Sequence, residues 1–222
     1  MCDFFLFAGP NGSGKSTIIN NFLLKNKVAY LNADYCARTD PSISDLPDGL
    51  EKSILAQKET ERRLKEKILS KEPFIWETVF SHESRLGIMD YAKSEGYMVH
   101  LTYITTKHPD ICVARVKQRV SEGGHDIPED KIRNRYSRSV SFLPEMIMSA
   151  DEVLIWDNSY ENTDPKLLFQ KLIEPGEGGG PAMIVWKNND QEVDSWVMEN
   201  VFAPLDKKGA LVLCYELVQV NP

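Results

Sequence analysis

The hydrophobic residues of this chain fall into two patterns that alternate along it. Short apolar runs predict buried β-strands, and the segments between them, in which apolar residues recur at helical spacing, predict amphipathic helices. Because strands that alternate with helices usually form a parallel sheet, the pattern predicts an α/β fold with a mostly parallel sheet. The alternation closes with a predicted helix over residues 165–172. The predicted strands lie at 4–8, 28–31, 74–76, 98–105 and 151–156.

The length and the end of the chain bear on its domain organisation. A chain of 222 residues is long enough for one well-buried domain, which we place at 1–175. The glycine-rich stretch at 176–181 has a flexible composition and marks the candidate boundary of a small extension at 176–222, which can pack on the same domain. Strand-like runs at 182–186 and 210–220 predict that this extension contains β structure, either added to the sheet or folded as a hairpin.

Composition excludes several classes of protein. A net charge of −7 argues against a broad nucleic-acid surface, because binding a polyanion needs a basic face. The four cysteines are widely separated and predict neither a zinc site nor a disulfide framework, which fits a reducing compartment. No apolar run approaches the ~18 residues that a membrane span requires. We therefore expect a cytoplasmic protein with no membrane segment.

The clearest motif lies directly after the first predicted strand. Residues 9–17 match G-x-x-x-x-G-K-[ST] at every fixed position, and apolar residues at helical spacing follow. In such a loop the glycines let backbone N–H groups point inward, and the start of the next helix attracts an anion. Lys15 would reach the β- and γ-phosphates, and the Ser16 hydroxyl would ligate Mg²⁺. The predicted ligands are thus ATP or GTP with Mg²⁺, and the predicted nucleotide-binding residues are Gly9, Asn11, Gly12, Ser13, Gly14, Lys15, Ser16 and Thr17.

Two further predicted strands end near a carboxylate. Asp34 follows the second strand, and Glu77 with Thr78 follows the third. Because ligands of open α/β sheets bind at the carboxyl ends of the strands, Asp34 lies beside the phosphate loop if the second strand neighbours the first. The alternative is that Asp34 caps the next helix. Glu77 either holds magnesium or its water, as acidic strand ends do in P-loop proteins, or faces solvent.

Five arginines flank the glycine pair at 123–124. In an acidic protein, such a cluster is what a closing lid needs in order to neutralise a transferring phosphoryl group. The alternative is a solvated basic surface. We predict a helical lid over residues 121–138 or so. The arginines are Arg115, Arg119, Arg133, Arg135 and Arg138.

Taken together, the motifs resemble the zeta-toxin family of P-loop kinases, a branch of which is labelled predicted ABC-type ATPases. The resemblance covers residues 3–159. It implies a three-layer P-loop kinase fold and an enzyme that transfers a phosphoryl group to an alcohol. The best-known members phosphorylate a sugar hydroxyl of UDP-N-acetylglucosamine and are restrained by a small antitoxin, so the resemblance implies a nucleotide sugar as acceptor and an antitoxin as partner. The motifs lie at 8–17, 31–34, 76–78, 92–97, 115–119, 123–128, 135–138 and 157–159.

The resemblance also implies roles for individual residues. Lys15 would bind phosphate, and Asp34 would take the proton of the acceptor hydroxyl. Glu77 and Thr78 would line the acceptor or magnesium site, and arginines of the lid would neutralise charge. The predicted catalytic residues are Asp34, Lys15, Arg119 and Arg135; the substrate-binding residues are Asp34, Glu77, Thr78 and Arg138; the metal ligands are Ser16 and Glu77.

Two other functions share the phosphate loop. A nucleic-acid end kinase would use the same loop and lid, but it needs a basic groove, which the acidic balance of the chain disfavours. A nucleotide-gated binding protein would hydrolyse nucleotide to switch a partner and would phosphorylate no acceptor. Release of ADP that depends on an acceptor separates this last function from a small-molecule kinase.

Overall fold

The computed structural model describes residues 2–23, 28–124, 126–172 and 194–210, and it shows a six-stranded sheet covered by helices. The strands are β1 (Cys2–Ala8), β2 (Ala29–Leu31), β3 (Phe74–Thr78), β4 (Tyr97–Thr105), β5 (Glu152–Asp157) and β6 (Lys166–Lys171). The helices are α1 (Lys15–Leu23), α2 (Ala33–Thr39), α3 (Leu50–Ser70), α4 (Ser84–Ser94), α5 (Pro109–Ser121), α6 (Glu129–Ser141), α7 (Leu143–Ser149), α8 (Ser195–Val197), a π-helical turn (Met198–Phe202) and α9 (Ala203–Lys207).

Strand β1 lies inside the sheet, whose order is β2-β3-β1-β4-β5-β6. The first five strands run parallel, and β6 runs antiparallel to β5. Ala8, the last residue of β1, pairs with Thr78 of β3 and with Tyr103 of β4. The three strands therefore end at one edge, which is where ligands of open α/β sheets bind.

Side chains of β1 alternate between two hydrophobic clusters, one on each face of the sheet. Phe4 and Leu6 belong to the larger cluster, to which α3 to α7 contribute. Phe7 points to the other face and packs with Ile19 of α1. Helices thus cover both faces, and the predicted three-layer α/β fold is confirmed.

The neighbour of β1 on one side is β3 and not β2, so the condition that placed Asp34 directly beside the phosphate loop is not met. Strand β2 pairs with β3 from Ala29 opposite Phe74 to Leu31 opposite Trp76. The reason is burial: four of the five residues of β3 are buried, whereas only one of the three residues of β2 is. A short, half-exposed strand is suited to the edge of a sheet.

The helix predicted over residues 165–172 is wrong, because this segment forms the antiparallel strand β6. Its buried residues, Leu168 and Phe169, are adjacent. The apolar face of an amphipathic helix requires apolar residues that recur three or four positions apart, and the two buried residues of this segment do not have that spacing. Pairing with β6 satisfies the backbone groups that β5 would otherwise present at an open edge. Phe169 also packs edge-on against Phe202, with ring centroids 6.2 Å apart.

The described part of the C-terminal extension is helical. Residues 194–210 contain α8, the π-helical turn and α9, and their side chains Trp196, Val197, Val201 and Leu205 are buried in the larger hydrophobic cluster. This part therefore packs on the same domain. The predicted glycine-rich boundary at 176–181 and the predicted strand at 182–186 lie outside the described residues, as does all but the first residue of the one at 210–220.

The longest helix, α3, has 21 residues but is rich in charged side chains. No helix in the described ranges is both long and apolar enough to cross a membrane.

Candidate active site

The loop between β1 and α1 has the backbone shape of a phosphate-binding loop. Gly9 and Gly14 have φ of 142° and 92°, values that L side chains rarely adopt. A Cβ on Gly9 would lie 2.0 Å from the carbonyl oxygen of Ile104, and one on Gly14 would lie 2.1 Å from Nδ2 of Asn158. Only glycine therefore fits at position 9, where the loop packs on the backbone of β4, and the positive φ of Gly14 disfavours a residue with a side chain there.

Lys15 begins α1 and is only 7% exposed. Its Nζ donates to the carbonyl oxygen of Pro10 at 2.8 Å, within the loop itself. Burial lowers the pKa of Lys15, while the charges of Glu77 and Asp34 oppose that shift. A buried ammonium at the positive end of a helix gains strongly from an anion, and the loop is accordingly suited to phosphate.

Three hydrogen-bond donors converge on Glu77 at the end of β3. Ser16 Oγ donates to Oε1 at 3.4 Å, Asn32 Nδ2 donates to Oε2 at 3.0 Å, and the Tyr30 hydroxyl donates to the same Oε2. Burial, followed by the neighbouring Glu77 carboxylate, raises the pKa of Tyr30 well above its ordinary value. The carboxylate is thus oriented towards the phosphate loop and is buried, not facing solvent.

Asp34 lies in the first turn of α2, and its side chain is free of the capping role that the sequence left open. The N-cap is Asn32, whose Oδ1 accepts from the N–H of Asp34 at 2.7 Å and from that of Tyr35 at 3.1 Å. Asp34 is exposed and faces the cleft. The helix start therefore presents a carboxylate to the cleft without using it for the cap.

These groups line one cleft of about 250 Å³ at the carboxyl edge of the sheet. It contains loop residues, the strand-end residues of β3, and two arginines of α5. Gly9 and Ser13 are buried beneath the surface of the loop. The lining residues are Asn11, Gly12, Gly14, Lys15, Ser16, Thr17, Asn32, Asp34, Glu77, Thr78, Val79, Arg115, Val116 and Arg119.

The five arginines have different positions. Arg119 lines the cleft, and so does Arg115, whose Nη1 donates to the carbonyl oxygen of Asn158 at 2.6 Å. Arg135 on α6 approaches the loop, with Nη1 at 3.3 Å from Oδ1 of Asn11. Neither Arg135 nor the remaining two arginines line the cleft. Arg133 pairs with Glu129 and Asp110 at 2.8 and 2.6 Å, and Arg138 is exposed outside the lining.

The oxygen donors of the cleft fit a magnesium ion. Ser16 Oγ and Glu77 Oε1 are 3.4 Å apart and offer one hydroxyl and one carboxylate. Among the described residues there is no group of three or more His, Cys, Asp or Glu that could hold a metal by itself. Magnesium is usually held by one or two protein oxygens together with phosphate oxygens, so this pair suits a metal that arrives with a nucleotide.

Sequence reasoning did not assign roles to Tyr30, Asn32 and Asn158, all of which contact the site residues. Asn32 and Asn158 each follow a strand and lie in motifs, at 31–34 and 157–159, that carried the family resemblance. Their position directly after a strand could have indicated that Asn32 and Asn158 belong to the cleft. Tyr30 lies inside β2 and gives no such signal.

Comparison with known proteins places this geometry in context. The profile of a family described as AAA domain matches residues 4–140. An uncharacterized protein of Haemophilus influenzae strain Rd is 31% identical over 134 residues, which are 59% of this chain and 89% of the relative.

Solved structures share the fold, and two of them illustrate the likeness. One comes from the PezAT chromosomal toxin–antitoxin system of Streptococcus pneumoniae, with a TM-score of 0.60, 20% identity, and coverage of 77% of this chain and 71% of that one. The other is AvrRxo1-ORF1:-ORF2 with ATP, with a TM-score of 0.59, 16% identity, and coverage of 78% of this chain and 59% of that one. At these identities the likeness establishes the fold alone, and it is the P-loop kinase fold predicted from the resemblance.

Proposed function

The chain belongs to the AAA domain family, and we propose that it is a kinase that transfers the γ-phosphoryl group of ATP or GTP to a hydroxyl group of a small molecule. One observation carries the proposal: a single cleft holds both the phosphate-binding loop with Lys15 and the exposed carboxylate of Asp34. A protein that only binds nucleotide needs the loop. A kinase also needs a group that receives the proton of the acceptor.

The loop residues would bind the triphosphate. Backbone N–H groups of the loop and the start of α1 would contact the phosphates, and Lys15 would move its Nζ from the Pro10 carbonyl to the β- and γ-oxygens. Ser16 and Glu77 would hold Mg²⁺, which would supply positive charge that stabilises the phosphates during transfer. Tyr30 and Asn32 keep Glu77 in place by donating to its second oxygen.

Transfer would then proceed across the cleft. The acceptor oxygen forms a bond to the γ-phosphorus while the bond from that phosphorus to the β,γ-bridging oxygen breaks, which releases ADP or GDP. The proton of the acceptor hydroxyl passes to the carboxylate of Asp34, the exposed acid of the cleft. Thr78, next to Glu77, and Arg138 are proposed to contact the acceptor, although Arg138 lies outside the cleft lining and would do so only after movement of the lid.

Arg119 of the cleft and Arg135, which contacts the phosphate loop, would neutralise charge during transfer. Arg119 lies on the α5 side, and Arg135 reaches the loop from α6, so the two approach the phosphate loop from different helices. Negative charge spreads over the equatorial oxygens of the phosphoryl group in the transition state, and two converging guanidinium groups stabilise it there.

We propose a nucleotide sugar such as UDP-N-acetylglucosamine as the acceptor, because the motifs of the chain resemble those of zeta-toxin kinases. A small protein partner of the antitoxin kind is part of the proposal, since one structurally similar protein comes from the PezAT toxin–antitoxin system. Both reactants are cytoplasmic metabolites, and we therefore propose that the protein acts in the cytoplasm.

The test is a screen of acceptors with the purified full chain. The protein is incubated with ATP or GTP and Mg²⁺ and with nucleotide sugars, free sugars or 5′-hydroxyl oligonucleotides, and products are followed by phosphorus NMR and mass spectrometry. The proposal predicts ADP or GDP release that depends on a nucleotide sugar, together with a product heavier by one phosphoryl group. Phosphorylation of the 5′-hydroxyl oligonucleotide would instead identify the protein as a nucleic-acid end kinase. Hydrolysis with no phosphorylated product would make it a nucleotide-gated binding protein.

A further inference from the structure

Helix α6, which carries Arg135, is held from behind by the C-terminal part of the chain. Trp196 Nε1 donates to the hydroxyl oxygen of Tyr136 at 3.2 Å, and that hydroxyl donates to the carbonyl oxygen of Thr106. All three residues are buried. One hydroxyl therefore joins α6, the end of β4 and the segment at 194–210, and its donor and one of its acceptor sites are both used.

A second contact fixes the segment at 194–210 to the residues that directly follow β4. Asp194 caps α8 by accepting from the N–H of Trp196 at 2.9 Å, and its other oxygen pairs with Lys107 Nζ at 3.2 Å. The hydrogen bond from Lys107 to Asp194 raises the pKa of this lysine. Lys107 directly follows Thr106, so Asp194 and, through Tyr136, Trp196 tie the segment to two adjacent residues after β4.

This support comes from a part of the chain that lies outside the family match. The AAA domain profile ends at residue 140, whereas Val197, Val201 and Leu205 of the C-terminal segment are buried in the core of the domain. Burial of these three aliphatic side chains stabilises the segment on the domain and makes it a firm base for the contact to α6.

The position of Tyr136 on α6 explains what the contact can do. Successive residues of an α-helix project about 100° apart around the axis. Tyr136 points into the protein to Thr106, and Arg135 points to Asn11 of the phosphate loop. A contact that fixes the direction of Tyr136 consequently fixes the rotation of α6, and with it the direction in which Arg135 points.

We propose that Trp196 is a positioning residue that sets the rotation of α6, so that Arg135 meets the phosphoryl group during transfer. The role of Arg135 rests on the proposed kinase function, but the effect on α6 does not. A misplacement of ~1 Å in a group that acts on the transition state can lower the rate ~10²-fold. Ser139 Oγ, one turn further on, donates to the carbonyl oxygen of Val79 at 2.7 Å, so we expect α6 to stay docked when the Trp196 contact is lost.

The first arm of the test measures α6 itself. Trp196→Phe keeps an aromatic ring and removes the N–H donor, and Tyr136→Phe removes the shared hydroxyl. Both full-length variants should show faster amide hydrogen exchange in residues 129–141 and unchanged exchange in β1. The control is Met198→Leu, which changes an exposed side chain of the same segment and should leave the exchange of α6 unchanged. Unchanged α6 exchange in both Trp196→Phe and Tyr136→Phe would overturn the proposal, whether or not the protein is a kinase.

The second arm links Trp196 to Arg135. Trp196→Phe should lower kcat for transfer about 5- to 20-fold and change the KM for nucleotide less than about twofold. In an Arg135→Ala background, the same substitution should change kcat less than about twofold, because the group that Trp196 positions is gone. Equal losses in the two backgrounds would show that Trp196 does not act through Arg135. If the wild-type chain transfers no phosphoryl group to any acceptor, the kinase proposal fails, and the exchange arm alone decides the role of Trp196.

Discussion

The side-chain amide of Asn158 donates to the carbonyl oxygen of Ser13 at 2.8 Å, although the two residues are 145 positions apart. The backbone carbonyl of the same Asn158 accepts from Arg115 at 2.6 Å. The end of β5 thus holds the phosphate loop and one arginine of the cleft in a fixed relation. A site that is rigid before it binds pays no reorganisation cost during the reaction, which is the condition for strong electrostatic stabilisation.

Lys15→Ala should weaken ATP binding about 10- to 100-fold, because the substitution removes a charged donor to the phosphates. The fold should persist, since the contacts of Gly9 and Gly14 with the strand ends set the shape of the loop. Titration calorimetry with ATP and thermal melting measure the two effects. Lys117→Ala, which removes an exposed pair with Glu129, is the matched control. An unchanged ATP affinity in Lys15→Ala would contradict the nucleotide site.

Lys15→Met should make the nucleotide-free protein more stable in a pH-dependent way. Burial lowers the pKa of Lys15 below its ordinary value of 10.5. Between the lowered pKa and 10.5 the unfolded wild type binds more protons than the folded one, so wild-type stability rises with pH in that window. The gain in Tm from the substitution should therefore be largest below the lowered pKa, roughly 2–4 °C for about 1 kcal/mol, and should shrink towards pH ~10. Calorimetric scans across this pH range measure the gain in Tm. A gain that does not change with pH would argue against a buried ammonium.

Asp34→Asn should bind ATP with normal affinity and lose transfer by ~10²- to 10⁴-fold, because Asp34 is proposed to act on the acceptor and not on the nucleotide. The helix start should be unaffected, since Asn32 supplies the cap. Single-turnover transfer and ATP titration measure the two quantities on one preparation. Transfer at the full rate would exclude Asp34 as the base and make Glu77 the candidate.

Arg119→Ala and Arg135→Ala should each lower kcat by ~10²-fold or more, with small changes in nucleotide affinity, because their charges matter most in the transition state. Arg133→Ala is the control on the same helix as Arg135, and its side chain is already paired with Glu129 and Asp110. It should change kcat less than about twofold. Single-turnover rates compare the variants, with Arg138→Ala as the fourth. Similar small losses of rate in all four variants would indicate that the arginine cluster is only a solvated basic surface.

The sequence by itself determined the features that depend on neighbouring residues. The spacing in 9–17 between a strand and a helix was enough to predict the phosphate loop, because backbone shape and helix start are local properties. The carboxylates of Asp34 and Glu77 could be placed at one edge of the sheet for the same reason, since each follows a predicted strand. The alternation of strands and helices likewise indicated the fold class.

Only the tertiary structure decided which distant groups meet. Asn158 reaches Ser13, and Trp196 reaches Tyr136, across long stretches of chain whose relative placement no local pattern encodes. The segment at 165–172 became a strand because β5 offered it an open edge, which is a property of the assembled sheet. The arginines show the same division, because their clustering was visible in the sequence but their directions were not. Packing of α5 and α6 turned Arg119 and Arg135 towards the phosphate loop, and it turned Arg133 towards two carboxylates. Contacts of this kind are set by packing, and packing is set by the whole chain.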